Sequence, residues 1–131
     1  MTSQKKYISW IAQIIAAVIL FQTLFFKFSG ATESVHLFTK LGVEPFGRYG
    51  AGIVELITVV LLLTPRKAWL GAFLGIGVMS GAILAHLTVL GIESDGDGGY
   101  LFILALITLL CCSVVAYIRK GDFFAFFYTL I

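Results

Sequence analysis

Apolar residues fall in four long blocks with short polar punctuation between them. The first covers residues 8–28, is interrupted at Gln22 and carries Lys27 near its end. The second, residues 47–64, stops at Pro65, which cannot continue a helical ladder and pushes Thr64 out of helical geometry. The third, residues 68–90, runs up to Gly91, a residue suited to a left-handed cap. The fourth, residues 100–118, is followed by Arg119, Lys120 and Gly121. Each block approaches the roughly 20 residues a helix needs to cross a bilayer. They are too long and unbroken for barrel strands, and open sheet edges cannot face lipid. The pattern predicts an all-α bundle of four transmembrane helices in one domain.

Composition supports the same solvent. Of the 131 residues, 60% are apolar and 12% charged. A soluble domain carries about 25% charged and about 45–50% apolar residues. So small a chain cannot hide that much apolar surface in one core. A soluble enzyme, a secreted disulfide scaffold and a disordered chain are therefore excluded. A net charge of +2 is too small for nucleic-acid binding. Cys111 and Cys112 are neighbours in an apolar run, with no framework and no metal spacing; they read as reduced structural thiols, and no metal site is expected. The first block exceeds the length of a signal-peptide core and reads as an uncleaved span.

Lysine and arginine set the expected orientation. Lys5, Lys6, Arg66, Lys67, Arg119 and Lys120 fall on one side, and Lys27, Lys40 and Arg48 on the other. Both termini are expected in the cytoplasm. The first outer loop predicts a short amphipathic helix, opened by Thr32 as a cap and closed by Gly42, with Val35, Phe38 and Leu41 at a three-residue repeat. The tail, residues 122–131, is rich in phenylalanine and too short to span; it is expected along the inner interface, or as a strip for a partner. The acidic, glycine-rich residues 93–99 resemble part of a calcium loop but lack its full ligand run, so they read as a solvated turn.

Small residues predict close helix packing. Gly71 and Gly75 lie four apart in the third block, as do Gly77, Gly81 and Ala85, while the second block opens with Gly47, Gly50 and Gly52. A tight contact between the second and third helices is expected, within one chain or as a homodimer seam.

Polar groups inside the blocks need a reason, because a charge at a helix centre costs about 2.5–3.5 kcal/mol. At 1.5 Å per residue, Glu55 lies roughly 10 Å and His86 roughly 7 Å below the outer surface. Lys27 ends the first span on that side, with Gln22 roughly 7 Å deeper. The expected topology brings all four to one leaflet. Each also has a structural reading: Lys27 snorkelling, Gln22 bonding between helices, His86 as a satisfied interior imidazole, Glu55 in an ion pair. The functional reading is an outward-opening site for protons or for a carbonyl-bearing ligand such as a quinone. Phe21, Phe25, Phe26, Phe28 and Trp69 are candidates to line its apolar part.

Several stretches together resemble one family. Lys27-Phe28-Ser29-Gly30, Phe38-Thr39-Lys40-Leu41-Gly42, Gly52-Ile53-Val54-Glu55-Leu56, Pro65-Arg66-Lys67-Ala68-Trp69-Leu70-Gly71 and Gly81-Ala82-Ile83-Leu84-Ala85-His86-Leu87 are similar, in order and spacing, to the DoxX-like four-span membrane proteins. The resemblance covers about residues 8–120. It implies a four-helix bundle in the bacterial inner membrane with Lys27, Glu55 and His86 as signature positions. It further implies an accessory subunit linked to quinone or thiol redox, without a covalent cofactor and with a quinone as the implied ligand. No flavin, haem or iron–sulfur motif supports catalysis by this chain alone. A non-catalytic scaffold or assembly factor holding another membrane protein, or self-associating, is the alternative; a small solute or proton carrier is a lesser one.

Overall fold

The computed structural model describes residues 2–93 and 96–130. Part of the expected acidic turn, Ser94 and Asp95, lies outside the described residues, as does the last residue of the tail. The described residues build helices α1 (Ser3–Ser29), α2 (Thr32–Lys40), α3 (Phe46–Leu62), α4 (Ala68–Ala85), α5 (Tyr100–Ile118) and α6 (Lys120–Leu130). A 3₁₀ turn at Pro65–Lys67 leads into α4, and a π turn at His86–Leu90 continues it.

Local chemistry explains the helix ends. The Thr2 side chain accepts the Lys5 amide, so α1 starts five residues before the apolar block does. Gly30, at φ 70°, closes α1 by donating back to the Lys27 and Phe26 carbonyls. Gly42, at φ 78°, stands after α2 as expected. Thr32 is not its cap: it is the first helical residue, and Ala31 stands before it without a side-chain bond. The second helix stops at Leu62, short of Thr64, and Pro65 opens the next turn. Gly91 does carry a positive φ of 79°, but with an extended ψ of 163°. The tail forms helix α6.

Among the described residues three segments are long and apolar enough to cross a membrane: Ser3–Ser29, Pro65–Leu90 and Tyr100–Ile118. That is the mark of a multi-pass membrane protein. The fourth member of the bundle, α3, has 17 residues.

The four long helices alternate in direction and close a ring, α1 on α3, α3 on α4, α4 on α5 and α5 on α1. The interior stripe of α1 is Ser9, Ala12, Gln13, Ala16, Ala17, Leu20 and Leu24, mostly small side chains that let neighbours come close. Its large residues, among them Ile11, Val18 and Phe25, point outward. This inverts the pattern of a soluble bundle, as expected where lipid surrounds the helices.

The glycines divide. A Cβ on Gly71 would sit 2.7 Å from the Leu62 amide, and one on Gly75 would sit 2.5 Å from Cys112 Sγ, so these two seat α4 against α3 and α5. Gly52 meets the Phe28 ring of α1, not α4. Gly50, Gly77 and Gly81 have nothing within 4 Å, so no other helix of this chain packs on them. The expected contact between the second and third helices thus forms through Gly71 and the end of α3, while the glycines at the start of α3 lie elsewhere.

Candidate functional site

One end of the bundle collects the end of α1, the start of α3, the π turn after α4 and the start of α5, with α2 laid across them. Between them lies a cavity of about 720 Å³. Lys27, Glu55 and His86 all border it, from three different helical segments.

The polar side of the cavity is an ion pair. Lys27 Nζ stands 3.0 Å from Glu55 Oε1. The Thr23 hydroxyl lies 3.1 Å from Glu55 Oε2 and 2.9 Å from its own helix carbonyl at Leu20, which share its proton. Glu55 is 3% exposed. Burying such a pair is worthwhile only where the geometry is good and the remaining oxygen is satisfied, as Thr23 does here. Lys27 therefore does more than snorkel, because its ammonium is aimed at an acid on a neighbouring helix.

His86 sits at the other side, 4% exposed, at the first position of the π turn. Its Nδ1 is 3.0 Å from the Gly91 carbonyl, and its ring meets Phe102 edge-on at 5.7 Å. The π turn adds a residue to the helix and re-aims the side chains beyond it, a device common near functional sites.

Gln22 does not join the site. It is exposed on α1 and borders no part of the cavity. One residue turns a helix by about 100°, so the position facing Glu55 is Thr23, four residues before Lys27. That i, i+4 spacing is the signal that identifies Thr23. Of the candidate lining aromatics only Phe26 borders the cavity. Phe21 and Phe25 face outward. Phe28 packs on Gly52. Trp69 lies at the opposite end, against Phe123 and Phe126 of α6 at 5.5 and 5.3 Å.

α2 forms the roof. Leu37, Phe38 and Leu41 face the cavity, and Phe38 is buried. Lys40 reaches the Leu90 carbonyl at 3.4 Å, tying α2 to the π turn. Arg48 is buried: it bonds the Glu44 carboxylate at 2.9 Å and donates to the Lys27 carbonyl, which braces the end of α1. Asp97 holds the start of α5 through the Gly99 and Leu101 amides at 2.8 and 3.2 Å.

A second polar cluster occupies the far end, where sequence reasoning saw only a basic stop. Arg119, 5% exposed, donates from Nε to Ser9 and Gln13 at 2.9 Å each, and from a terminal nitrogen to the Pro65 carbonyl at 3.2 Å. Gln13 donates in turn to the Leu62 carbonyl at 2.6 Å. Burial draws the Arg119 guanidinium below its usual pKa, and Asp122 at 3.9 Å opposes the shift. These bonds close the carbonyls left open where α3 ends, and none of the residues that make them borders the cavity described above. Among the described residues no cluster of His, Cys, Asp and Glu has the form of a metal site.

No family model, curated protein or solved structure matches this chain.

Proposed function

We propose that this chain is a DoxX-like, four-span protein of the bacterial inner membrane whose cavity binds a lipid-soluble, carbonyl-bearing ligand such as a quinone, and that it serves as an accessory subunit in quinone or thiol redox rather than as an enzyme alone. The single observation that carries the reading is the cavity itself, apolar through most of its wall and bordered by a Lys27–Glu55 pair and a buried His86. Ligand sites commonly combine an apolar wall with a few convergent polar groups in about 300–1,000 Å³. α3, at 17 residues, is about 26 Å long, close to the roughly 30 Å hydrocarbon thickness that mismatch can absorb. The exposed basic side chains favour cytoplasmic termini: Lys5, Lys6, Arg66, Lys67 and Lys120 are exposed at one end, while Arg48 at the other is buried in local bonds.

The test is purification in mild detergent with mass spectrometry of bound lipids and quinones, then titration with a short-chain quinone. Binding is expected to be saturable and to weaken in Glu55→Gln and Lys27→Met. No binding by the wild type, or unchanged binding in both variants, refutes the site. The scaffold alternative draws on Phe124, Phe126, Phe127 and Tyr128, which α6 leaves exposed although Phe126, like Phe123, also touches Trp69 of its own α4. It predicts a co-purifying membrane partner that is lost when residues 122–131 are deleted.

A further inference from the structure

His86 offers one chemical function that no protein group uses. A carbonyl oxygen can only accept, so the 3.0 Å contact with Gly91 puts the proton of the neutral ring on Nδ1. Nε2 is then a bare acceptor. The bond to Gly91 uses Nδ1, and among the described residues no hydrogen bond joins Nε2 to a protein group. Among the described residues no fully covered side-chain nitrogen or oxygen lacks a partner. An Nε2 without one must therefore keep some accessible surface, and His86, 4% exposed, borders the cavity. Across the cavity the situation is opposite. Lys27 Nζ has three N–H groups and spends one on Glu55. The cavity thus presents a fixed acceptor on one wall and spare donors on another.

We infer that His86 makes the cavity selective for an amphiphile whose head donates a hydrogen bond, and that, resting on the quinone reading, the preferred form is hydroquinone rather than quinone. A hydroquinone hydroxyl donates to Nε2 while its oxygen at the other end of the ring accepts from Lys27. A quinone has only acceptors. It satisfies Lys27 but brings a carbonyl lone pair toward the Nε2 lone pair, leaving a buried acceptor unmet. The discrimination is a matter of one donor, so it extends to any phenol or alcohol with an apolar tail.

The experiment uses the full chain in lipid nanodiscs. Four probes are titrated by calorimetry: para-nonylphenol, its methyl ether, a decyl hydroquinone and the matching decyl quinone. The phenol is expected to bind about tenfold more tightly than its ether, and the hydroquinone about tenfold more tightly than the quinone. His86→Asn places an amide nitrogen where Nδ1 was and keeps the Gly91 bond, but removes Nε2. It is expected to bring each pair to within about twofold while leaving the ether's affinity unchanged. His86→Gln, which restores an acceptor near Nε2, is expected to recover part of the preference. Equal binding of phenol and ether by the wild type overturns the inference, as does a preference that survives in His86→Asn. A phenol preference with no binding of either quinone form supports the acceptor role and rejects the quinone reading. Equal binding of quinone and hydroquinone, with no phenol preference, does the reverse. No binding of any probe rejects both.

Discussion

Gly75 and Gly77 lie two residues apart on α4 and separate a seated glycine from an idle one. A Cβ at Gly75 would lie 2.5 Å from Cys112 Sγ and 3.6 Å from Thr58 Cγ2. The first distance is roughly 1 Å inside normal contact. Cys112 and Thr58 are fully buried, so neither has slack to retreat. Gly77 has nothing within 4 Å. Ala gains helix propensity at both positions, by about 0.5–1 kcal/mol in a helix interior. That gain cancels in the comparison, and the difference between the variants isolates the overpacking term, about 1–3 kcal/mol. Gly75→Ala should therefore be less stable than Gly77→Ala by about that amount, read from thermal or SDS-induced unfolding in detergent. Cys112→Ala removes the clashing sulfur, so the double variant Gly75→Ala/Cys112→Ala should recover most of the loss beyond Cys112→Ala alone. Equal stability of the two glycine variants, or a double variant whose losses simply add, refutes the assignment of Gly75 as the seat of the α4–α5 contact.

The two polar ends and the tail give further expected outcomes. Glu55→Leu strands the Lys27 ammonium and is expected to cost about 3–5 kcal/mol, whereas Lys27→Met/Glu55→Leu should recover much of it; strictly additive unfolding losses would count against a coupled pair. Arg119→Lys loses the Nε bonds to Ser9 and Gln13, and unfolding should show a loss of about 1–3 kcal/mol. No change would mean that cluster holds nothing together. Phe123→Ala should shift the emission of Trp69, whose ring it meets at 5.5 Å, while Tyr128→Ala, at an exposed position, should not; equal shifts would contradict the docking of α6.

Where the helices lie was legible from the blocks of apolar residues. The fourth block coincides with α5, and the others differ by a few residues where end chemistry intervenes, as with the cap at Thr2 and the proline turn after Leu62. Position along each helix was legible too, since it needs only a count from the end, and counting is enough to bring Lys27, Glu55 and His86 to one end of the bundle. Rotation about each axis was not. In a soluble helix the polar face reports it, but here Ile11, Val18 and Phe25 are as apolar outside as Leu20 and Leu24 are within. Gln22 and Thr23 could not be told apart on depth, and the glycines of α4 looked alike until the neighbouring helices were in place. Arg119 was hidden for a related reason. An arginine after a span resembles any other basic stop, and only its contact with residues about one hundred positions earlier gives it an interior role.

The two polar clusters share a logic set by the solvent. Lipid gives apolar side chains little reason to prefer the interior, so close approach and hydrogen bonds must specify which helices meet. Small residues let α1 come near its neighbours, and Gln13 with Arg119 ties its start to the ends of α3 and α5. At the other end Lys27 and Glu55 tie α1 to α3. The ends differ in one respect. Around Arg119 the Pro65 and Leu62 carbonyls, Ser9 and Gln13 meet one another's donors and acceptors, and the cluster is closed. Around the cavity Lys27 Nζ meets Glu55 and His86 Nδ1 meets Gly91, and both residues border open volume. A bundle specified by packing alone would close that volume as it closes the far end, and this difference between the two ends is what favours the ligand-binding reading proposed above.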